Sequence, residues 1–329
     1  MTFKEFRYSI GRLLGIKKYL TKIIPGEILD IGKLLHGSSD LPRPALLPND
    51  ERPVVTMSNF GHNGRFGNQL FQYSFLSLVA RRQSAQLQLP VWPGSALFGL
   101  NVMLDIKAPS KLTQESKTDF SNLIKLMTVR DENFEGIDYD GQAQLHTSAY
   151  APDKDFIRSL YIFDARLLSF LNKALVDLGL AQKKIIAIHL RRGDYGYDQY
   201  FRAPCSWYEK WVSQAGYSPD EYIIYICSES PEKYRKRFPQ FTVITSDDLK
   251  CPSQLAPYFD FMVMTLADTV ATSNSSFSFF ATMLNRKNNQ FYRPDFDQLS
   301  LVQFDPWNAN PLLTKQLSPT QHKYLQSID

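Results

Sequence analysis

The sequence contains no uninterrupted apolar run of the ~20 residues that a membrane-spanning helix requires. It also shows no clean hydrophobic region followed by a small-residue cleavage site, as a signal peptide would. Its 3 cysteines are odd in number and have no Cys-x-x-Cys or Cys/His spacing, which disfavours both a disulfide framework and a zinc site. These absences favour a cytoplasmic protein.

A strong overall charge of either sign is also lacking. The 37 basic and 33 acidic residues leave a net charge of +4, too small to indicate a nucleic-acid partner. All of this excess lies in residues 1–36, where seven basic residues stand against three acidic ones and apolar residues recur at helical spacing. Such a basic amphipathic helix is typical of peripheral contact with an anionic surface, here the inner face of the cell membrane. A helix packed on its own domain is the alternative.

The chain is long enough for two lobes. Its 329 residues, 43% of them hydrophobic, can bury two apolar cores of ordinary size. Prolines crowd among polar residues between positions 38 and 53 and indicate an irregular linker after the basic leader. We therefore expect a leader and linker at 1–52, a first lobe at 53–180, a second lobe at 181–300, and a tail at 301–329 that packs back on the first lobe.

Apolar segments of strand and helix type alternate along both lobes, which is typical of an α/β protein with parallel sheets covered on both faces. Ligands of such sheets bind beyond the carboxyl ends of the strands. Residues 90–150 have no clear period. The predicted strands are 54–57, 85–89, 185–190, 222–227, 241–245, 269–272 and 290–292, and the predicted helices are 66–82, 163–178, 207–214, 231–238, 259–266 and 275–284.

The motif HLRRGDY, residues 189–195, directly follows an apolar strand and so lies where a nucleotide would bind. Its adjacent arginines, Arg191 and Arg192, offer fixed planar donors suited to phosphate oxygens. Gly193 permits a sharp turn before Asp194. A solvated Arg-Arg turn is the competing interpretation of this motif taken alone.

The motif SNSSFS, residues 273–278, stands between a predicted strand and an apolar helix. We expect its small hydroxyl residues to cap the helix and leave free N–H groups that attract a phosphate, although ordinary capping without a ligand is equally consistent with it.

A third segment, residues 61–73, forms a glycine-rich turn between strand and helix. Its G-x-x-G-x-x-G spacing differs from both the dinucleotide fingerprint and the phosphate-binding Walker loop.

Together the three segments resemble the α-1,2-fucosyltransferases of glycosyltransferase family 11. The resemblance rests on GRFGNQLFQY at 64–73, HLRRGDY at 189–195 and SNSSFS at 273–278, which occur in the order of the family. It implies a GT-B-like fold, with two facing Rossmann-like lobes and parallel sheets. It also implies GDP-fucose as the donor, held mainly by the second lobe. Transfer would be metal-independent and inverting, with no cofactor, to the 2-hydroxyl of a terminal β-galactose on an oligosaccharide.

The resemblance also implies roles for individual residues. The arginine pair would neutralise the diphosphate, with the neighbouring histidine and aspartate shaping that loop. The serine motif would hold phosphate and nucleotide, Glu229 would lie on the donor side, and two amides of the first lobe would face the donor. These residues are Arg191, Arg192, His189, Asp194, Ser275, Ser276, Phe277, Glu229, Asn68 and Gln69.

An inverting transfer also needs a group that takes the acceptor's proton. Asp194, His189 and Glu229 are candidates by residue type, and the donor phosphate is another. Two neighbouring arginines would stabilise the charged form of Asp194 and weaken it as a base. A binding protein for nucleotide sugars without turnover, or a fucosyltransferase of another linkage, remains an alternative. Three Asp-x-Asp pairs, the type used by metal-dependent transferases, are close to the number expected by chance.

Overall fold

A computed structural model describes residues 51–100, 109, 111–287 and 290–329. The predicted leader helix in residues 1–36 lies outside these described residues. Within them, no helix combines the length and the apolar character needed to traverse a bilayer.

The first lobe is built on a four-stranded parallel sheet with the strand order β2-β1-β4-β3. β1 is Val54–Thr56, β2 is Gln86–Gln88, β3 is Leu112–Gln114 and β4 is Gly136–Asp140. β1 and β2 were predicted, whereas β3 and β4 lie in the segment that has no clear sequence period.

The second lobe contains a six-stranded sheet with the order β10-β9-β8-β5-β6-β7, parallel except for the β9–β10 pair. Its two longest strands, β5 and β6, are almost completely buried, because helices cover both faces of the sheet. The strands are β5 Lys184–Leu190, β6 Tyr222–Ser228, β7 Val243–Ile244, β8 Thr269–Ala271, β9 Phe291–Asp295 and β10 Ser300–Gln303.

The helices follow most of the strands, as the alternating pattern predicted. They are α1 Phe66–Arg82, α2 Pro93–Leu97, α3 Phe120–Thr128, α4 Lys154–Ser159, α5 Ala165–Asp177, α6 Cys205–Gln214, α7 Glu232–Arg235, α8 Ala256–Leu266, α9 Ser276–Leu284 and α10 Pro319–Ser327. The α/β prediction with parallel sheets is thus confirmed.

Helix α1 joins the two lobes. It is buried around most of its circumference because it packs on the first sheet with one side and on α9 with another. The ring of Phe71 lies 4.9 Å from that of Phe280 in α9, and Tyr161 lies 5.2 Å from the same ring. One apolar core therefore runs through both lobes, while a second core fills the far side of the second sheet.

The tail contacts both lobes. Thr147 of the first lobe donates its N–H and its hydroxyl to the carbonyl of Ala309, at 3.0 and 2.9 Å. Farther along, His322 of α10 lies 3.0 Å from the carbonyl oxygen of Asp198 in the second lobe. The tail thus contacts the first lobe near its beginning and the second lobe at α10.

Candidate active site

The three sequence motifs meet at one edge of the molecule. HLRRGDY begins within β5, and SNSSFS begins two residues after the end of β8, so both lie at the carboxyl ends of adjacent parallel strands. Glu229 follows β6, the neighbour on the other side. The glycine-rich turn follows β1 and faces this edge from the first lobe.

Helices α1 and α9 meet at their N-termini. Ser276 Oγ donates a 2.6 Å hydrogen bond to Asn68 Oδ1 across the lobe boundary. A Cβ on Gly67 would lie 2.5 Å from the backbone nitrogen of Phe277, so only glycine permits this approach. The sequence predicted that the hydroxyl residues of SNSSFS cap α9. Ser275 is the N-cap residue, but its side chain does not cap the helix and contacts Tyr195 instead. Neither helix start carries a side-chain cap.

Arg191 is held by two carboxylates. Its Nη2 lies 2.5 Å from Asp194 Oδ1, and its Nη1 donates to Glu229 Oε1. The guanidinium carbon also stands 5.2 Å from the ring centre of Tyr195. Because planar pairing with carboxylates fixes the orientation of a guanidinium, Arg191 is preorganised at the end of β5.

Arg192 is turned into the second lobe. Its Nε donates to the hydroxyl of Tyr234 at 2.7 Å, its Nη1 to the carbonyl of Ala203 at 3.0 Å, and its Nη2 to Asp329 Oδ1 at 2.9 Å. The resemblance implied a direct contact between this side chain and a diphosphate. That contact stays a prediction, and in this structure partners within the protein already engage all three nitrogens of the guanidinium.

His189 is buried beneath the arginine loop. Its Nδ1 lies 2.8 Å from the hydroxyl oxygen of Ser273, and its ring lies 5.5 Å from that of Phe277. Burial, reinforced by the charges of Arg191 and Arg192, lowers the pKa of His189 to about 3. The imidazole is therefore neutral at physiological pH and ties the arginine loop to the serine motif.

The two candidate carboxylates differ in access. The side chain of Asp194 is 49% exposed and pairs with Arg65 as well as with Arg191. Glu229 accepts the backbone N–H of Arg192 at 3.0 Å through one oxygen and Arg191 through the other. Glu229 therefore holds the arginine loop in place through two hydrogen bonds, whereas the carboxylate of Asp194 is half exposed to solvent.

Two amides near the start of α1 belong to the first lobe. Asn68 accepts from Ser276 and donates to Gln142 Oε1. Gln69 is buried, and its Oε1 has no hydrogen-bond partner within the described chain. A buried acceptor without a partner is costly in a folded protein, and a ligand hydroxyl is one group that would satisfy it.

The Asp-x-Asp pair at the end of β4 supports the glycine-rich turn. Asp138 accepts the N–H and the hydroxyl of Ser58, at 2.8 and 2.7 Å. Asp140 Oδ1 accepts from the side-chain amides of Asn59 and Asn63, at 2.8 and 2.6 Å. These hydrogen bonds shape the turn that precedes α1.

A family model described as Glycosyl transferase family 11 matches residues 48–292, about three quarters of the chain. This chain belongs to glycosyltransferase family 11. The resemblance deduced from the three motifs is thereby confirmed. A search among curated proteins found no match.

Among solved structures, this family 11 protein is similar to fucosyltransferases. NodZ α-1,6-fucosyltransferase soaked with GDP-fucose is 15% identical, with a TM-score of 0.50, over 78% of this chain and 99% of that one. A second structure, fucosyltransferase NodZ from Bradyrhizobium, is 14% identical with the same TM-score and coverage. An apo form of POFUT1 is 12% identical, over 75% of this chain and 99% of that one, with a TM-score of 0.49. The NodZ matches confirm the GT-B-like fold.

The motifs of this family 11 glycosyltransferase contain most of the residues that meet at this edge, but three further residues that contact them were not singled out from the sequence. Arg65 could have been found, since it is a cation inside the glycine-rich turn that follows a strand. Gln142 and Asp329 gave no signal, because only the folded chain brings them against Asn68 and Arg192.

Proposed function

We propose that this glycosyltransferase moves L-fucose from GDP-fucose to the 2-hydroxyl of a terminal β-galactose on an oligosaccharide. The reaction inverts the anomeric carbon and requires no metal ion. Family membership supports glycosyl transfer, and the three motifs together with the GT-B-like fold of fucosyltransferases support fucosyl transfer.

One observation carries this proposal. Arg191 stands preorganised between Asp194 and Glu229, on the same edge at which α1 and α9 begin without side-chain caps. Helix N-termini attract anions, because their free N–H groups and the helix dipole both favour negative charge. A guanidinium and two helix starts that converge on one cleft are suited to a diphosphate.

The same groups suit the chemical step. The bond between the fucose anomeric carbon and the β-phosphate oxygen breaks, and GDP departs with the electron pair while the acceptor oxygen bonds from the opposite face. Negative charge grows on the β-phosphate, where Arg191 and the helix N–H groups stabilise it. They supply the positive charge that a divalent cation provides in metal-dependent transferases.

Of the three candidate bases, Asp194 suits the role best. His189 is buried and its pKa of about 3 makes it a weak base. Glu229 is held by Arg191 and by the backbone N–H of Arg192, whereas the second partner of Asp194 is the exposed side chain of Arg65, which can separate from it at little cost. Asp194 is half exposed and lies between the lobes beside Arg65. It takes the proton of the attacking hydroxyl and passes it to solvent after GDP leaves.

Release of GDP from GDP-fucose by the purified chain, in EDTA and with or without lactose, tests this function. Lactose-stimulated release is expected, and loss of the new fucose on treatment with an α-1,2-specific fucosidase would establish the linkage. GDP-mannose serves as the matched control, because it carries the same nucleotide. GDP binding without release from any GDP-sugar would instead make the chain a nucleotide-sugar-binding protein.

A further inference from the structure

The tail lies outside the residues that match the family, yet it contacts two of the family's motifs. Asn274 in SNSSFS accepts the N–H of Leu313 at 2.7 Å and donates to the carbonyl of the same residue at 3.1 Å. Asn274 also donates to the carbonyl of Gln199 at 2.8 Å. Two hydrogen bonds between Asn274 and Leu313 thus connect the serine motif to the tail.

The arginine motif is fastened by Asp329. Asp329 Oδ1 accepts from Arg192 Nη2 at 2.9 Å and from the backbone N–H of Cys205 at 2.6 Å. The main-chain oxygen of Asp329 accepts from Arg237 Nη1 at 2.6 Å, and Ser206 Oγ donates to the neighbouring carbonyl of Ile328 at 3.0 Å. Four hydrogen bonds around the end of α10 therefore fix this carboxylate at the start of α6.

Asp329 supplies the counter-charge of a buried cation. The side chain of Arg192 is only 10% exposed. Burial disfavours its charge, but the Asp329 carboxylate and the Tyr234 phenol outweigh this effect, so that the pKa of Arg192 is raised. A buried guanidinium that loses its carboxylate must find another partner or move toward solvent.

A movement of Arg192 would reach the donor side of the loop. The backbone N–H of Arg192 donates to Glu229 Oε2, and Glu229 Oε1 accepts from Arg191. The carboxylate of Asp329 therefore holds the side chain of Arg192, while the carboxylate of Glu229 holds the side chain of Arg191 and the backbone of Arg192. The position of the first arginine depends on that of the second.

We propose that Asp329 is a positioning residue, which holds Arg192 so that Arg191 points at the diphosphate of the nucleotide sugar. This inference rests on the proposed function, since it presumes that Arg191 contacts the diphosphate. Asp329 itself touches no substrate and acts through Arg192.

Asp329→Asn in the full chain tests this role, because it keeps the shape of the side chain and removes its charge. We expect GDP binding, measured by calorimetry, to weaken about tenfold and kcat for transfer to fall about tenfold or more, since small displacements at a reacting centre are costly. The matched control is Asp297→Asn, because the exposed carboxylate of Asp297 pairs with Lys315 of the same tail. The control should match the wild type in both measurements.

A double-mutant cycle with Arg192→Lys separates positioning from general destabilisation. If Asp329 acts through Arg192, the kcat/KM of the double variant should be no lower than that of the less active single variant. Losses that multiply would overturn the proposal, as would wild-type GDP binding and kcat in folded Asp329→Asn.

If Asp329→Asn is unfolded at the assay temperature, Asp329→Glu is the second variant, because it keeps the charge but moves it by one methylene. It should lose kcat with little change in Tm, and full activity would equally refute the idea.

A failure of the proposed function gives a different result. In that case the wild type itself would not release GDP from GDP-fucose, whether or not it binds GDP.

Discussion

Arg65 Nη2 lies 3.2 Å from Asp194 Oδ2, so an ion pair joins the glycine-rich turn of the first lobe to the arginine loop of the second. The side chains are 75% and 49% exposed. Exposed pairs of this kind contribute about 0–1 kcal/mol to stability. The bridge can therefore open for a substrate at little cost.

Arg191→Ala should lower kcat for fucosyl transfer by about 10²-fold or more, the usual effect of removing one transition-state donor. The fold should persist, because Arg191 belongs to neither apolar core. GDP release and thermal unfolding check the two halves of this prediction. Arg130→Ala is the control, since that arginine pairs with Glu132 on the surface. Near-normal kcat in a folded variant would contradict the assignment of Arg191.

Asp194→Asn should reduce kcat by about 10²–10⁴-fold, the range that a general base contributes. GDP binding should be nearly unchanged, because the amide oxygen of the introduced asparagine would still accept a hydrogen bond from Arg191 and the substitution adds no negative charge. Single-turnover transfer and calorimetry measure the two effects. A proportional loss of GDP affinity and kcat would show that Asp194 only holds the loop.

Asp260 predicts a dependence of stability on pH. Burial raises the pKa of this carboxyl from an ordinary value of 3.8 to about 8, in spite of a 2.9 Å hydrogen bond from the Tyr225 hydroxyl. Between these values the folded chain keeps a proton that the unfolded chain has lost, so Asp260 lowers stability as pH rises from about 4 to 8. The loss is at most about 1.4 kcal/mol per pH unit. Urea unfolding of Asp260→Asn, compared with the wild type across this range, should show an advantage that grows with pH.

Gly67→Ala should push the starts of α1 and α9 apart, because the added methyl would meet the backbone of Phe277. We expect a loss of about 1–3 kcal/mol in the free energy of unfolding, as for other overpacked contacts, and a reduced kcat. Gly179→Ala is a useful comparison, since its φ of +71° makes alanine strained but no atom lies within 4 Å. That control should lose stability without losing kcat. Equal activities of the two variants would count against a role for the helix contact.

Removal of residues 1–36 should release the protein from anionic vesicles and leave transfer in solution unchanged. The expectation rests on the seven basic residues and the helical spacing of the apolar ones. Vesicle sedimentation at two salt concentrations measures it. If the shortened chain sediments with the vesicles as the full one does, the leader is not the membrane contact.

The sequence predicted the elements with a strong periodic or apolar pattern. Helix α1 was located to the residue, and β5 and β6 within one residue at each end. β4 was missed, because Gly136 and two aspartates hide a strand that is buried through its contacts with β1 and β3. Tertiary pairing rather than local pattern made it a strand.

In the candidate site, too, local sequence patterns predicted some features, and others depend on contacts between distant residues. Because their motifs follow predicted strands, Arg191 and Ser276 were expected at the carboxyl ends of β5 and β8, and the structure has them there. The direction of Arg192 could not be predicted, because its partner Asp329 lies 137 residues away in the chain. The weakness of His189 as a base also followed only from its burial.

The apolar core that α1 shares with α9 has a consequence for how nucleotides enter and leave. Separating the lobes would pull rings such as Phe71 and Phe280 into water, and truncation of such rings typically costs about 3–5 kcal/mol each. The wide opening and closing of two rigid halves would therefore carry a large free-energy cost. For the function proposed above, we therefore expect GDP to enter and leave through the rim, where the exposed Arg65–Asp194 ion pair can open at little cost.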